Sequence, residues 1–166
     1  MITELDLENS LRHALEDNEF ILYYQPKIDL NTNQITGFEA LIRWHHPTKG
    51  LVYPGDFIDF AEKTGLIIPI GHWVFVTACN ELKKLINNGY TNLSMSINLS
   101  AKQFKQNDLP DIIYRTINET GVDPHLIELE ITETIIMENL DKAMEILDDV
   151  KKQGVRVSLD DFGIGY

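Results

Sequence analysis

Short runs of β-branched and aromatic residues alternate with amphipathic stretches along most of this chain, and that rhythm restricts the fold more than any other feature. "LSMSINLS", "LIELEIT" and "VRVSLDD" read as strands. Around them, "PGDFIDFAEKTG", "IGHWVFVTACNELKKLINNG", "DLPDIIYRTINETG" and "NLDKAMEILDDVKKQG" read as helices, the last three stopped by Gly89, Gly121 and Gly154. The longest carries an apolar face of Ile70, Trp73, Val74, Leu82, Leu85 and Ile86. Strands separated by helices predict βα units and a parallel sheet, an α/β fold. The beginning breaks the rhythm. Leu7, Leu11 and Leu15, spaced i, i+4, i+8, mark a short helix within residues 1–18. "FILYYQPKI" and "ITGFEALIRW" then read as strands joined by the turn residues of "DLNTNQ". A link that short predicts antiparallel neighbours.

One domain with a substantial core is the expectation for 166 residues, with no linker or repeat to divide them. Acidic residues outnumber basic ones 26 to 14, a net charge of -12, which argues against DNA, RNA or an anionic membrane as partner because phosphates would be repelled. The single cysteine, Cys79, leaves no internal disulfide and reads as a buried spectator. The polar, acidic start "MITELDLENS" is unlike a signal peptide, and "GLIIPIGHWVFVTAC" is too short and too interrupted to span a bilayer. A cytoplasmic domain without direct membrane contact is expected.

Within the strands, Glu39, Asn98, Glu130 and Asp160 each interrupt an apolar run. In parallel α/β architectures the C-terminal strand ends share one face, where sites form. Four oxygen-bearing side chains meeting there would repel one another without a cation. Carboxylate and amide oxygens suit a hard divalent ion such as Mg²⁺ or Mn²⁺. Any one of these residues alone reads more simply as a solvated edge position; the coincidence at equivalent strand ends carries the functional reading. Asp161 could bridge a second ion or cap the turn that Gly163 and Gly165 permit. "DFG" also occurs in protein kinases, but no "VAIK"-like strand or "HRD" loop precedes it. His45 and His46, adjacent in an extended segment, point apart and make a poor chelating pair. Strand alternation turns Glu133 away from the face of Glu130, into the following loop.

The chain resembles the EAL domain family, named for the tripeptide that stands here as Glu39-Ala40-Leu41. "YYQPKIDL", "GFEALIRWHHPTKGLVYPGDFI", "AEKTGLIIPIGHWV", "SINLSAKQF", "ELEITET" and "LDDFGIGY" occur in family order and spacing. The resemblance implies a modified TIM (β/α)8 barrel whose first strand runs antiparallel. It implies a Mg²⁺- or Mn²⁺-dependent phosphodiesterase that opens cyclic di-GMP to the linear dinucleotide. Glu39, Asn98, Glu130 and Asp160 match ligands of a first metal, and Asp160 with Asp161 match contributors to a second. Gln25, Leu41 and Arg43 match residues that bind the substrate, Arg43 through a phosphate. Glu133 matches a glutamate that braces the loop after the "DDFG" strand. Ile164 departs from the small residue usual in that loop.

A complete barrel of this type takes about 250 residues, and this chain is expected to reach the fifth strand, a partial domain ending C-terminally inside the site. The family's general-base lysine lies beyond Tyr166, so the chain by itself is expected to be inactive and to self-associate through exposed barrel edges. The competing expectation is a non-catalytic ligand sensor or protein-interaction module on the same scaffold.

Overall fold

In the computed structural model, residues 4–137 and 140–160 are described. Helix α1 (Glu4–Glu16) leads into strands β1 (Phe20–Asp29) and β2 (Gln34–His46). They pair antiparallel from Phe20 opposite Trp44 to Asp29 opposite Gln34, as the short link predicts. Asn33, at φ 56°, turns the chain between them; Asn tolerates this left-handed conformation better than most residues. A short strand, β3 (Gly50–Val52), folds back on the end of β2, pairing Trp44 with Val52. Pro54–Asp56 forms one 3₁₀ turn, and helices α2 (Ile58–Thr64) and α3 (Ile67–Asn87) follow.

The βα rhythm then runs as predicted. It comprises β4 (Ser94–Asn98), α4 (Ala101–Phe104), α5 (Leu109–Thr120), β5 (Ile127–Thr132), α6 (Glu133–Met137), α7 (Leu140–Lys152) and β6 (Arg156–Asp160). The six strands form one sheet in the order β1-β2-β4-β5-β6, with β3 attached to β2. β2, β4, β5 and β6 are parallel neighbours. This is the open wall of a TIM-like barrel with an antiparallel first strand; among the described residues the sheet does not close on itself.

Side chains alternate across that wall. Met95, Ile97, Leu129 and Ile131 turn outward into a core completed by Val74, Ala78 and Leu82 of α3, Ile113 and Ile117 of α5, and Ile146 and Val150 of α7. A second core joins Leu11 of α1, Phe20, Trp44, Phe57 and Ile70. Cys79 is fully buried, and burial pushes its thiol up to about 12, which makes it inert, as expected.

Several local features escaped the sequence, the short helices α4 and α6 among them. β3 has only three residues, too few for a period to show. "PGDFIDFAEKTG" divides because Pro54 starts a separate 3₁₀ turn before α2. α3 begins three residues earlier than the apolar pattern indicates, with Pro69 tolerated in its first turn because that N–H has no helical partner to lose.

Candidate functional site

The strand faces opposite the helices are polar, and they meet in two layers. The upper layer lies toward the C-terminal strand ends. Gln25 of β1 stands opposite Glu39 of β2, and Asn98 of β4 opposite Glu130 of β5. Glu39 is the sixth of thirteen residues in β2 and stands opposite Ser96, the middle residue of β4, while β2 continues well past that parallel neighbour. Asn98 Nδ2 donates to Glu39 Oε1 at 2.8 Å, so these two predicted ligands do come together. A cavity of about 420 Å³ opens at this rim, with Leu41, Pro54, Asn98, Glu130 and Thr132 in its lining.

Glu130 faces a different partner. Lys27 Nζ, from β1, donates to Glu130 Oε1 at 2.5 Å and to Ser96 Oγ at 2.6 Å, and lies 3.5 Å from Glu128 Oε2. Ser96, fully buried, passes its own proton to Glu128 Oε2 at 2.9 Å. Lys27, Ser96 and Glu128 form the lower layer, and Lys27 ties it to Glu130 of the upper one. The lysine crosses β2 to reach β4 and β5 because its direct neighbour in register is Gly37, and Gly37 stands opposite Ser94. A Cβ on Gly37 would sit 2.6 Å from the Ser94 carbonyl oxygen, inside contact distance, so β2 and β4 approach closely there only because this residue is glycine.

These contacts set the charges. Burial acts to lower the Lys27 pKa, but the hydrogen bond and charge of Glu130, with those of Glu128, outweigh it and raise the ammonium above its ordinary value. For Glu128, burial acts upward, and the Ser96 hydrogen bond with the Lys27 charge overcomes it and holds the carboxyl below the usual range. Sequence reading missed Lys27, Ser96 and Glu128. The available signal was the period-2 partner of each chosen residue: Lys27 follows Gln25, Ser96 precedes Asn98 and Glu128 precedes Glu130 by two, so all share the same faces.

Arg43 lies two residues beyond Leu41, four beyond Glu39 on the same face of β2. Its Nη1 donates to the Ile42 carbonyl at 2.8 Å, and its Nε is buried with no hydrogen-bond partner among the described residues. The guanidinium carbon lies 5.4 Å from the Tyr23 ring centroid and 5.2 Å from that of Tyr53. His45 and His46 close β2, and His46 packs on Trp44 at 4.8 Å between ring centroids.

Glu133 is the first residue of α6, so a short helix stands where a loop was expected; its side chain is not among those described. Asp160 ends β6 with its backbone opposite Thr132, and its side chain likewise lies outside the description. Asp161, Gly163, Ile164 and Gly165 fall outside the described residues. Among the described residues no three His, Cys, Asp or Glu side chains assemble into a group that could hold a metal ion. The donors that are described, Glu39, Asn98 and Glu130, are hard oxygen groups of the type Mg²⁺ and Mn²⁺ take.

An open TIM-like wall with acidic and amide groups at its strand ends defines an α/β protein with a site at the usual rim. The sequence model of the EAL domain family matches residues 8–166, and the chain belongs to that family. It is 40% identical over 163 residues to the bifunctional diguanylate cyclase/cyclic di-GMP phosphodiesterase MucR of Pseudomonas aeruginosa, covering 98% of this chain and 24% of that protein. It is 37% identical to the cyclic di-GMP phosphodiesterase NbdA of the same organism, covering 98% of this chain and 21% of that protein. A solved structure of the PaMucR phosphodiesterase in complex with c-di-GMP superposes with a TM-score of 0.93 at 40% identity, covering 96% of this chain and 65% of that one. The chain thus spans about a quarter or less of the length of these curated relatives. Among the described residues no helix is long and apolar enough to cross a membrane.

Proposed function

We propose that residues 1–166 form one unit of a bacterial cyclic di-GMP phosphodiesterase domain, with residues 1–18 leading into the barrel, acting in the cytoplasm. The observation that carries this reading is the Glu39–Asn98 contact at the rim, with Arg43 four residues along the same strand face. Glu39, Asn98, Glu130 and Asp160 would hold one divalent ion, Mg²⁺ or Mn²⁺, and Asp160 with Asp161 would share a second. When bound, such ions activate water and neutralise the phosphate. The chain's own residues bind and orient: Arg43 takes a phosphodiester oxygen, Gln25 and Leu41 flank the nucleotide, and Glu133 braces the loop that follows β6. Lys27 keeps Glu130 fixed from below and supplies no base, since its protons are engaged by two carboxylates and a hydroxyl.

For the 166-residue chain alone the expectation is weak binding of cyclic di-GMP without turnover, because on this reading the rim carboxylates Glu39 and Glu130 serve as metal ligands and neither is left to take a proton from water. Calorimetric titration with Mn²⁺ compares the unaltered chain with Glu39→Gln; indistinguishable isotherms would remove Glu39 from the site. Incubation with cyclic di-GMP and Mn²⁺, followed by chromatography for the linear dinucleotide, tests turnover.

A binding-only module is the second reading. It is favoured by Lys27, whose ammonium already neutralises Glu130 without any metal. We also propose self-association: β6 has one partner strand among the described residues, and its Leu159 is 45% exposed. Strand edges and apolar surface recruit partners. Light scattering that reads a monomer at tens of micromolar (roughly) would end that proposal.

A further inference from the structure

We infer that Tyr23 of β1 and Tyr53, the residue just after β3, are positioning residues that hold Arg43 for an anionic phosphodiester. The assignment rests on the reading of Arg43 given above and extends it to two side chains with no role in that reading. Three observations carry it.

The first is register. Tyr23 pairs with Leu41, which puts it diagonal to Arg43 on the same face of the β1–β2 ladder. On the other side, Trp44 pairs with Val52, so one further antiparallel step sets Tyr53 beside Arg43. The two rings thus approach the same guanidinium from opposite neighbours. The second is distance: 5.4 Å and 5.2 Å from the guanidinium carbon to the ring centroids, both within the range of attraction between a cation and an aromatic face. The third is what remains for Arg43 to do. Its Nη1 is committed to a backbone carbonyl, its Nε is buried without a partner, and among the described residues no carboxylate forms an ion pair with it. Its charge is therefore compensated by ring quadrupoles, which orient a guanidinium without consuming the in-plane donors that remain, those of Nη2 above all. Those donors are the ones that bind a phosphate. Tyr23 and Tyr53 are 45% and 55% exposed, so the guanidinium they flank stays within reach of a ligand from solvent.

The arrangement predicts a dependence on the ring and not on the hydroxyl. Tyr53→Phe keeps the aromatic face; Tyr53→Leu and Tyr23→Leu remove it. Affinity for cyclic di-GMP is measured by titration of the 166-residue chain, alongside Arg43→Ala, and the Arg43 Nε–H resonance is followed by NMR. Tyr53→Phe is expected to bind like the unaltered chain. Each leucine variant is expected to bind roughly three- to tenfold more weakly, in keeping with loss of one such contact. In the leucine variants the Arg43 resonance should lose its ring-current shift. If both leucine variants bind normally while Arg43→Ala loses affinity, Arg43 stands and the tyrosines are mere surface. If Tyr53→Phe weakens binding as much as Tyr53→Leu, the hydroxyl acts and the proposal fails. If Arg43→Ala also binds normally, the phosphate reading of Arg43 falls, and with it the ligand half of this proposal. An unmoved Arg43 resonance in both leucine variants would overturn the holding half independently of any ligand.

Discussion

The two faces of β4 and β5 divide the molecule's tasks residue by residue. Met95, Ile97, Leu129 and Ile131 point outward beneath the helices and are each no more than 2% exposed. Ser96, Asn98, Glu128 and Glu130, interleaved with them, point inward and are tied to one another, to Glu39 and to Lys27. A strand has a period of two, so adjacent residues belong to different environments. Stability is concentrated on one face and charge on the other. Substitutions a single residue apart should therefore fail in different ways.

The largest effect on stability is expected on the outer face. Ile97→Ala or Leu129→Ala should lower the free energy of unfolding by about 2–5 kcal/mol, since each leaves a cavity in a closed core. A urea midpoint close to that of the unaltered chain would show that the outer face does not hold the sheet together. Gly37→Ala comes next, at roughly 1–3 kcal/mol, because its Cβ would press on the Ser94 carbonyl and force β2 and β4 apart. This variant should also loosen the inner layer, since Lys27 crosses to Ser96 at that point. An unchanged midpoint would mean that the strands yield there easily.

Lys27→Met probes the inner face. Its effect is expected to be near 1 kcal/mol at neutral pH, small for an ion pair because the Lys27 side chain is 37% exposed and partly screened by water. The pH dependence is more informative. Glu128 has a folded-state pKa below its ordinary 4.5, so its contribution is present above that value and is lost as pH falls through the depressed pKa. Lys27 has a raised pKa, so its contribution is complete below its ordinary 10.5 and disappears as pH rises through the higher value. Lys27→Met should remove stability across that whole window and flatten the curve at both ends. Parallel stability curves for the two chains would contradict the coupling. The smallest effect on folding belongs to Glu39→Gln, within about 0.5 kcal/mol of the unaltered chain, as for substitutions outside a core. Its binding of Mn²⁺ should nevertheless be lost, which gives the sharpest separation of the two faces.

Much of this architecture was legible. The antiparallel opening pair, the parallel series, the glycine stops after α3, α5 and α7, and the buried state of Cys79 all follow from period, turn chemistry and hydropathy. Those properties are local, and local rules report them well. Glu39 and Asn98 were found as candidates for the same reason: each is a polar side chain breaking an apolar run. Their companions were not found. Lys27 looks like an ordinary lysine after a proline, and Glu128 like one acid among 26 acidic residues. Nothing near either residue in the chain tells that a glycine on β2 lets one reach the other, across 101 positions of sequence.

The sequence by itself determined which residues could form strands and helices, which faces would be apolar, and which oxygen groups would stand near strand ends, because each depends on neighbours a few positions away. Only the tertiary structure decided who meets whom inside the sheet. Register placed Asn98 on Glu39 and gave Glu130 to Lys27. The three-residue strand β3, too short to be read from any period, carried Tyr53 to Arg43. Such meetings depend on contacts between strands far apart in the chain, where a shift of one residue in pairing would turn every one of these side chains to the opposite face.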